Sequence, residues 1–270
     1  MGKVRLDVLL VEKGLADSRA KAQALIMAGQ VRVAGQMVLK PATAIQPDAL
    51  LTVDAGPKFV SRGGEKLEGA LTTFNIAVKD FVCVDVGSST GGFTDCLLQH
   101  GAKKVYAIDV GKGILHWKLR TDSRVVVMEE TNARFVESLP EKIDFVTVDA
   151  SFISLKVLLP VIKKWFNLFP LSSFDEGKRK EERNIIALIK PQFEAGRRDV
   201  SKGDGVIRNP EIHKQVLLDV LTFAKNEGFG LLGLVKSSLL GPKGNVEFLL
   251  WMNLQANENS VESLVDGLNL

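Results

Sequence analysis

Short, nearly unbroken apolar runs recur along the later part of this chain: FVCVDV (81–86), KVYAIDV (104–110), VVVME (125–129), IDFVTVDA (143–150), IIALIK (185–190), GLLGLVKSS (230–238) and VEFLLWMNL (246–254). Runs without polar alternation predict strands buried on both faces. Helical stretches fit between most of them, notably 91–100, 153–167 and 210–227. Strand–helix alternation of this kind predicts an α/β fold, a mainly parallel sheet with helices on both faces. The last two runs are joined only by LLGPKGN, too short for a crossover, so they should form an antiparallel hairpin at one sheet edge. Ahead of the first run, SRGGEKLEGALTTFN (61–75) spaces Leu67, Ala70, Leu71 and Phe74 at i, i+3, i+4, i+7, an amphipathic helix.

The first sixty residues follow a different rhythm. RLDVLLVEKG (5–14) has helical spacing and stops at Gly14; ADSRAKAQALIMAG (16–29) is a second helix, capped by Asp17 or Ser18 and stopped by Gly29. QVRVAGQMV (30–38) alternates around Ala34-Gly35, a short hairpin, and ALLTVDA (49–55) reads as a last strand. Two domains are therefore expected, a small α+β module at 1–59 and the α/β module at 60–270. SSFDEGKRKEER (172–183) reads as a solvated insertion, and FEAGRRDVSKGDGVIRNP (193–210) as a basic, Gly-rich substrate loop.

Charge adds an asymmetry. Residues 1–60 hold eight Lys and Arg against five Asp and Glu, while the remaining 27 of each sign cancel. The whole surplus sits on the small module and hints at a polyanionic partner. Cys83 and Cys96 are the only cysteines and form no CxxC pair, and His100, His116 and His213 lack ligand spacing, so neither a disulfide framework nor a metal site is expected. His116 and Trp117 are expected to cover the sheet. No signal peptide is read at the N-terminus, and Lys156, Lys163 and Lys164 break the one long apolar segment, so the expectation is a soluble, cytoplasmic protein.

The chemistry is written at the strand ends. The runs reach Asp85, Asp109, Asp149 and Lys190, and in open α/β sheets ligands bind beyond the carboxyl ends of strands. After Asp85 comes the glycine-rich turn of VDVGSSTGGFTDC (84–96). No lysine follows its glycines, which disfavours a triphosphate loop, and Ser89 stands where a dinucleotide fingerprint needs glycine. A carboxylate beside the turn would repel pyrophosphate but suits a cationic ligand. S-adenosylmethionine is such a ligand, with Asp109 placed to accept from its ribose hydroxyls.

Two resemblances sharpen this reading. Arg5-Leu6-Asp7, Ser18-Arg19-Ala20-Lys21-Ala22, Leu25-Ile26, Gly29, Val31-Arg32-Val33 and Gly35 resemble the S4 RNA-binding domain. The resemblance implies RNA contacts from Arg5, Arg19, Lys21 and Arg32. Arg19 and Lys21 also sit where a helix N-terminus favours phosphate. RGGEKL, DVGSSTGGFTD, VDASFISL and KPQFEAGR resemble the FtsJ-type (RrmJ-like) ribose methyltransferases, a Rossmann-like class I fold. That family's catalytic tetrad maps here to Lys66, Asp149, Lys190 and Glu247. The donor, S-adenosylmethionine, maps to Asp85, Gly87, Ser88, Gly91, Gly92, Phe93, Asp109, Asn132 and Asp149. Phe93 replaces the usual Trp after Gly-Gly. An S4 domain followed by this catalytic domain is similar to the TlyA family, rRNA cytidine-2′-O-methyltransferases also labelled haemolysin A. The implied partners are 16S and 23S ribosomal RNA and the ribosomal subunits.

The tetrad makes chemical sense. A ribose hydroxyl is a weak nucleophile and must lose its proton as it attacks the sulfonium methyl. Lys190 is read as the base and Asp149 as its partner, with Lys66 near Lys190 and Glu247 in support; a second cation nearby would make a lysine a better base. Two alternatives stand beside the enzyme: a membrane-lytic haemolysin, for which the sequence offers no spanning segment, and an RNA-binding protein without catalysis, against which all four tetrad positions are filled.

Overall fold

The computed structural model describes residues 2–167, 183–196, 205–255, 259–268 and 270. The charge run 172–183, apart from Arg183, and the middle of the loop 193–210 lie outside the described residues. The chain divides into two compact units, Met1–Lys58 and Phe59–Leu270.

In the first unit, β1 (Val4–Arg5) leads into α1 (Leu6–Glu12), and α2 (Arg19–Met27) follows. Ser18 is the cap of α2: its Oγ accepts from the Lys21 amide at 3.2 Å. The hairpin β2 (Val31–Val33) and β3 (Gln36–Met37) turns at Ala34 and Gly35, both with positive φ (49° and 83°), and β5 (Leu51–Val53) pairs antiparallel with β2. The sequence pattern did not show the pairing of β1 with β4 (Ala44–Ile45), two residues on each side. The core is small: Leu6, Leu9, Leu10, Ala22, Ile26 and Val31 are its most enclosed members.

The second unit carries a seven-stranded sheet among its described residues. Its strands are β6 (Val82–Val86), β7 (Lys104–Ile108), β8 (Val125–Met128), β9 (Phe145–Val148), β10 (Asn184–Ile189), β11 (Gly230–Lys236) and β12 (Phe248–Asn253). Their order is β11-β12-β10-β9-β6-β7-β8, and each coincides with one of the apolar runs. β10, β9, β6, β7 and β8 run parallel; β12 is antiparallel to both β10 and β11. The expected hairpin is present, with its second strand inside the sheet and its first strand at the edge.

Helices cover both faces. On one side α3 (Gly63–Thr73) and α4 (Gly92–Gln99) pack Leu67, Ala70, Leu71, Phe93 and Leu97 against the sheet. Full burial of one such leucine stabilises by roughly 2 kcal/mol. On the other side α6 (Leu155–Asn167) and α8 (Pro210–Asn226) bury Leu159, Ile162, Trp165, Leu217 and Leu221. Trp165 donates its indole N–H to the Val136 carbonyl at 2.7 Å, so the largest buried side chain also meets its polar need. Short helices α5 (Trp117–Arg120), α7 (Pro191–Glu194) and α9 (Val261–Asp266) complete the unit. Trp117 does not cover the sheet: it is 72% exposed, and Leu119 is the buried residue of α5. No helix among the described residues is long and apolar enough to cross a membrane.

Candidate active site

The carboxyl ends of β6, β7, β9 and β10 meet at two adjoining cavities of about 740 and 430 Å³. Gly87, Ser89, Asp149, Ser151 and Phe152 line both, so one wall is common to them.

The glycine loop is built by close approach. Gly87 has φ 82°, and a Cβ there would stand 2.8 Å from the Asp149 carbonyl oxygen. Only glycine lets the end of β6 lie against the end of β9. Gly92 does the same for the helices: a Cβ would come within 2.3 Å of Ser61 Oγ and 2.9 Å of the Gly64 nitrogen. Asp95, buried in α4, holds that junction by accepting from the Val60 amide at 2.9 Å. Ser89 adopts φ 50°, and its amide donates to Asp109 Oδ2 at 2.8 Å; the Gly111 amide donates to Oδ1 at 2.8 Å. Asp109 therefore keeps its carboxylate at the wall of the smaller cavity. Asn132 lines the same cavity, with its Oδ1 accepting from the Arg134 amide.

Ser88, Gly92 and Phe93 line the larger cavity. Gly91 lines neither; its φ of 97° forms the non-helical cap of α4, against Leu115 and Leu119. Asp85 departs from the expected donor contact. It does not reach the crevice but lies fully buried beneath the loop, accepting from Thr94 Oγ1 at 2.7 Å and Thr147 Oγ1 at 3.0 Å. β6 is a central strand, and its fourth residue faces α4 instead of water. Burial pushes the Asp85 carboxyl up to about 7 against the pull of the two hydroxyls.

The four tetrad positions line the larger cavity as two ion pairs. Lys66, on α3, stands 2.5 Å from Glu247 Oε2, with both side chains buried. Lys190, at the end of β10, stands 2.7 Å from Asp149 Oδ1, out of line for a hydrogen bond to it; it donates to Ser151 Oγ at 2.9 Å and to the Asp149 carbonyl at 3.3 Å. Each ammonium thus faces a carboxylate, and both lysines line the same cavity. Glu247 Oε1 is buried with no hydrogen-bond donor among the described residues. It lies beside the Gly241 turn, where a Cβ would come within 2.5 Å of it.

Sequence reasoning missed several site residues. Ser151 holds Lys190. Phe152, with φ 62° and 90% exposure, packs at a tilt against Phe193, 4.9 Å between ring centres. Glu129, after β8, accepts from Arg120 at 2.6 Å and from the amides of Gly113, Ile114 and Leu115, which holds its carboxyl down at about 2. It thereby shapes the loop that brings Ile114 to the smaller cavity. The only sequence signal for Ser151 and Phe152 was their place in VDASFISL.

In the first unit the basic residues are partly committed. Arg5 and Arg19 both donate to Asp7, which is fully buried and also accepts from Gln23 at 2.8 Å. These contacts, Arg5 foremost, hold the Asp7 carboxyl well below the usual carboxylate range. Arg32 pairs with Asp54 at 2.8 Å. Lys21 is exposed in the first turn of α2. The expected cationic patch is present as residues, with three of its four charges already facing carboxylates. Among the described residues no three His, Cys, Asp or Glu gather as metal ligands.

Comparison with known proteins bears on the same regions. The family model for FtsJ-like methyltransferases matches residues 59–254, and that for the S4 domain matches residues 4–51. The chain is 49% identical over 258 residues to "Putative rRNA methyltransferase YqxC" of Bacillus subtilis, covering 93% of this chain and 86% of that protein. It is 43% identical over 272 residues to "16S/23S rRNA (cytidine-2'-O)-methyltransferase TlyA" of Mycobacterium tuberculosis, covering 99% and 96%. A solved structure, "Putative hemolysin from Streptococcus thermophilus", superposes with TM-score 0.68 at 40% identity, covering 99% of this chain and 96% of that one.

Proposed function

Because the chain belongs to the FtsJ-like methyltransferase family, we propose that it transfers a methyl group from S-adenosylmethionine to a ribose 2′-hydroxyl of ribosomal RNA, on cytidine in 16S or 23S rRNA as in its named relative. The observation that carries this reading is the Lys190–Asp149 pair, with Asp149 in the wall common to two adjoining cavities and Lys190 in the larger one, the smaller being lined by acids and apolar side chains.

The smaller cavity fits the donor. Asp109 and Asn132 offer polar contacts to a ribose and a base edge, and Val110, Ile114, Ile153 and Leu158 offer apolar walls to a flat ring. Asp149 supplies negative charge where the cavities meet, which suits a cation and disfavours a phosphate. S-adenosylmethionine, when bound, supplies the electrophilic methyl. The residues of the chain do the rest. Gly87–Ser89 and Asp149 fix the donor end of the reacting line. In its neutral amine form Lys190 would take the hydroxyl proton as the methyl passes to the ribose oxygen and the donor leaves as the neutral thioether. Asp149 and Ser151 hold its Nζ in place, and Lys66 with Glu247 lines the same cavity. Alignment of oxygen, carbon and sulfur is the main contribution of such a site.

The first unit supports RNA as the substrate: Lys21 and the half-exposed guanidinium groups of Arg19 and Arg32 lie on an S4 domain. The test is transfer of labelled methyl from S-adenosylmethionine to rRNA, with the product nucleosides mapped by mass spectrometry. The parent should yield a 2′-O-methylated cytidine and Lys190→Ala should not. Parental transfer by Lys190→Ala would remove this assignment.

A further inference from the structure

We propose that Glu194 is a positioning residue that sets the Asp149–Lys190 geometry by tying together the two segments that carry it. The inference rests on the methyltransferase reading and names a residue that lines neither cavity.

One segment runs from Asp149 through Ser154 into α6; the other runs from Lys190 through α7 to Glu194. Glu194 joins them with both oxygens. Oε2 accepts from Ser154 Oγ at 2.6 Å, and Oε1 accepts from the Leu155 amide at 2.7 Å. Ser154 Oγ in turn accepts from the Lys156 amide at 3.1 Å. The carboxylate thus meets the free amides at the start of α6, one directly and one through Ser154. The same two segments touch at the tilted Phe152–Phe193 contact and at Lys190 itself, which reaches Asp149 and Ser151. The stretch 149–154 includes Phe152 in the left-handed region, a conformation that persists only where the surroundings fix it. Glu194 fixes its far end. Without that tie, Asp149 and Ser151 are free to shift against Lys190, and a shift of about 1 Å in such a site costs roughly 100-fold in rate.

Hydrogen-bond geometry is the feature used, because charge is a burden at this position: burial pushes the Glu194 carboxyl up. Glutamine can replace it, its carbonyl accepting from the Leu155 amide and its NH₂ donating to Ser154 Oγ.

The test uses the full chain, labelled S-adenosylmethionine and rRNA, with initial rates over both concentrations. Glu194→Ala should lower kcat by roughly 10- to 100-fold with both KM values within about threefold of the parent. Calorimetry should show donor affinity unchanged. Glu194→Gln should recover most of kcat. A folded Glu194→Ala with parental kcat, a loss confined to KM, or a Glu194→Gln as slow as Glu194→Ala would each overturn the inference. If Glu194→Ala does not fold, Ser154→Ala carries the test: it should lose about threefold to tenfold in kcat, and parental kcat there overturns the proposal. Lys190→Ala in the same series separates the two levels. If it is inactive while Glu194→Ala is parental, only the inference falls; if it is active, the catalytic reading falls and the inference with it.

Discussion

Replacing Asp85 by Asn should make the second unit more stable, and by an amount that grows with pH. The carboxyl is fully buried between Thr94 and Thr147 and is pushed from 3.8 up to about 7. A shift of about three units corresponds to about 4 kcal/mol between the folded and unfolded chain. The sign follows from which state holds the proton. Between pH 4 and 7 the folded chain keeps the Asp85 proton and the unfolded chain has lost it. Stability is therefore fully present below pH 4 and is lost as pH rises through about 7. Asn has nothing to ionise, and its two polar atoms fit the site. Its carbonyl can accept from one threonine while its NH₂ donates to the other, and Thr147 Oγ1 has a second acceptor in the Val84 carbonyl at 3.4 Å. Relative to the variant, the parent should be weaker by roughly 1.5 kcal/mol at pH 5 and by roughly 4 kcal/mol at pH 8. Urea unfolding followed by tryptophan fluorescence reads this unit alone, because Trp117, Trp165 and Trp251 all lie within Phe59–Leu270. The gap between the two stability curves should widen by about 2.5 kcal/mol from pH 5 to pH 8. Parallel curves would refute the reasoning, since a carboxyl with an ordinary pKa contributes no such gap.

The Lys66–Glu247 pair is buried on both sides, so Lys66→Met should lower stability by about 3 kcal/mol, and Lys66→Met with Glu247→Leu should lower it by less than either single change; additive losses in urea unfolding would show that the two side chains do not act as a pair. Lys21→Ala with Arg32→Ala should weaken rRNA binding and flatten the slope of log affinity against log salt by roughly two, one phosphate for each charge. An unchanged slope in filter binding would place these two residues away from the RNA backbone; Arg19 is left intact because its loss would also strip the buried Asp7 of a donor.

The strands of the second unit were legible because the inner ones are buried on both faces, which leaves an apolar run with no alternation to misread, and the edge strands β8 and β11 carry similar runs. The hairpin was legible from LLGPKGN alone, because seven residues cannot cross a sheet. Three kinds of feature were not. Two-residue strands such as β1 and β4 bury too little to mark a pattern, and they pair across about forty residues. The direction of Asp85 is not legible, because an apolar run that ends in an acid does not show which face of the sheet the acid takes. β6 lies between β7 and β9, and α4 closes the face on which Asp85 points. The commitment of Arg19 to Asp7 needed the packing of α1 against α2, whereas Arg5 reaches Asp7 from two residues away. The tetrad shows the division most clearly. Its members could be named from motifs, but which lysine meets which acid depends on topology. Parallel pairing of β9 with β10 carries Asp149 and Lys190 to the same end of the sheet. Antiparallel pairing of β10 with β12 matches Ile189 to Phe248, so one step further sets Lys190 across from Glu247. A parallel β12 would have delivered its opposite end to the site. Reversing that one strand inside the sheet lets a residue at its start join residues at the ends of its neighbours. Lys66 reaches them because Gly92 lets α3 start against α4.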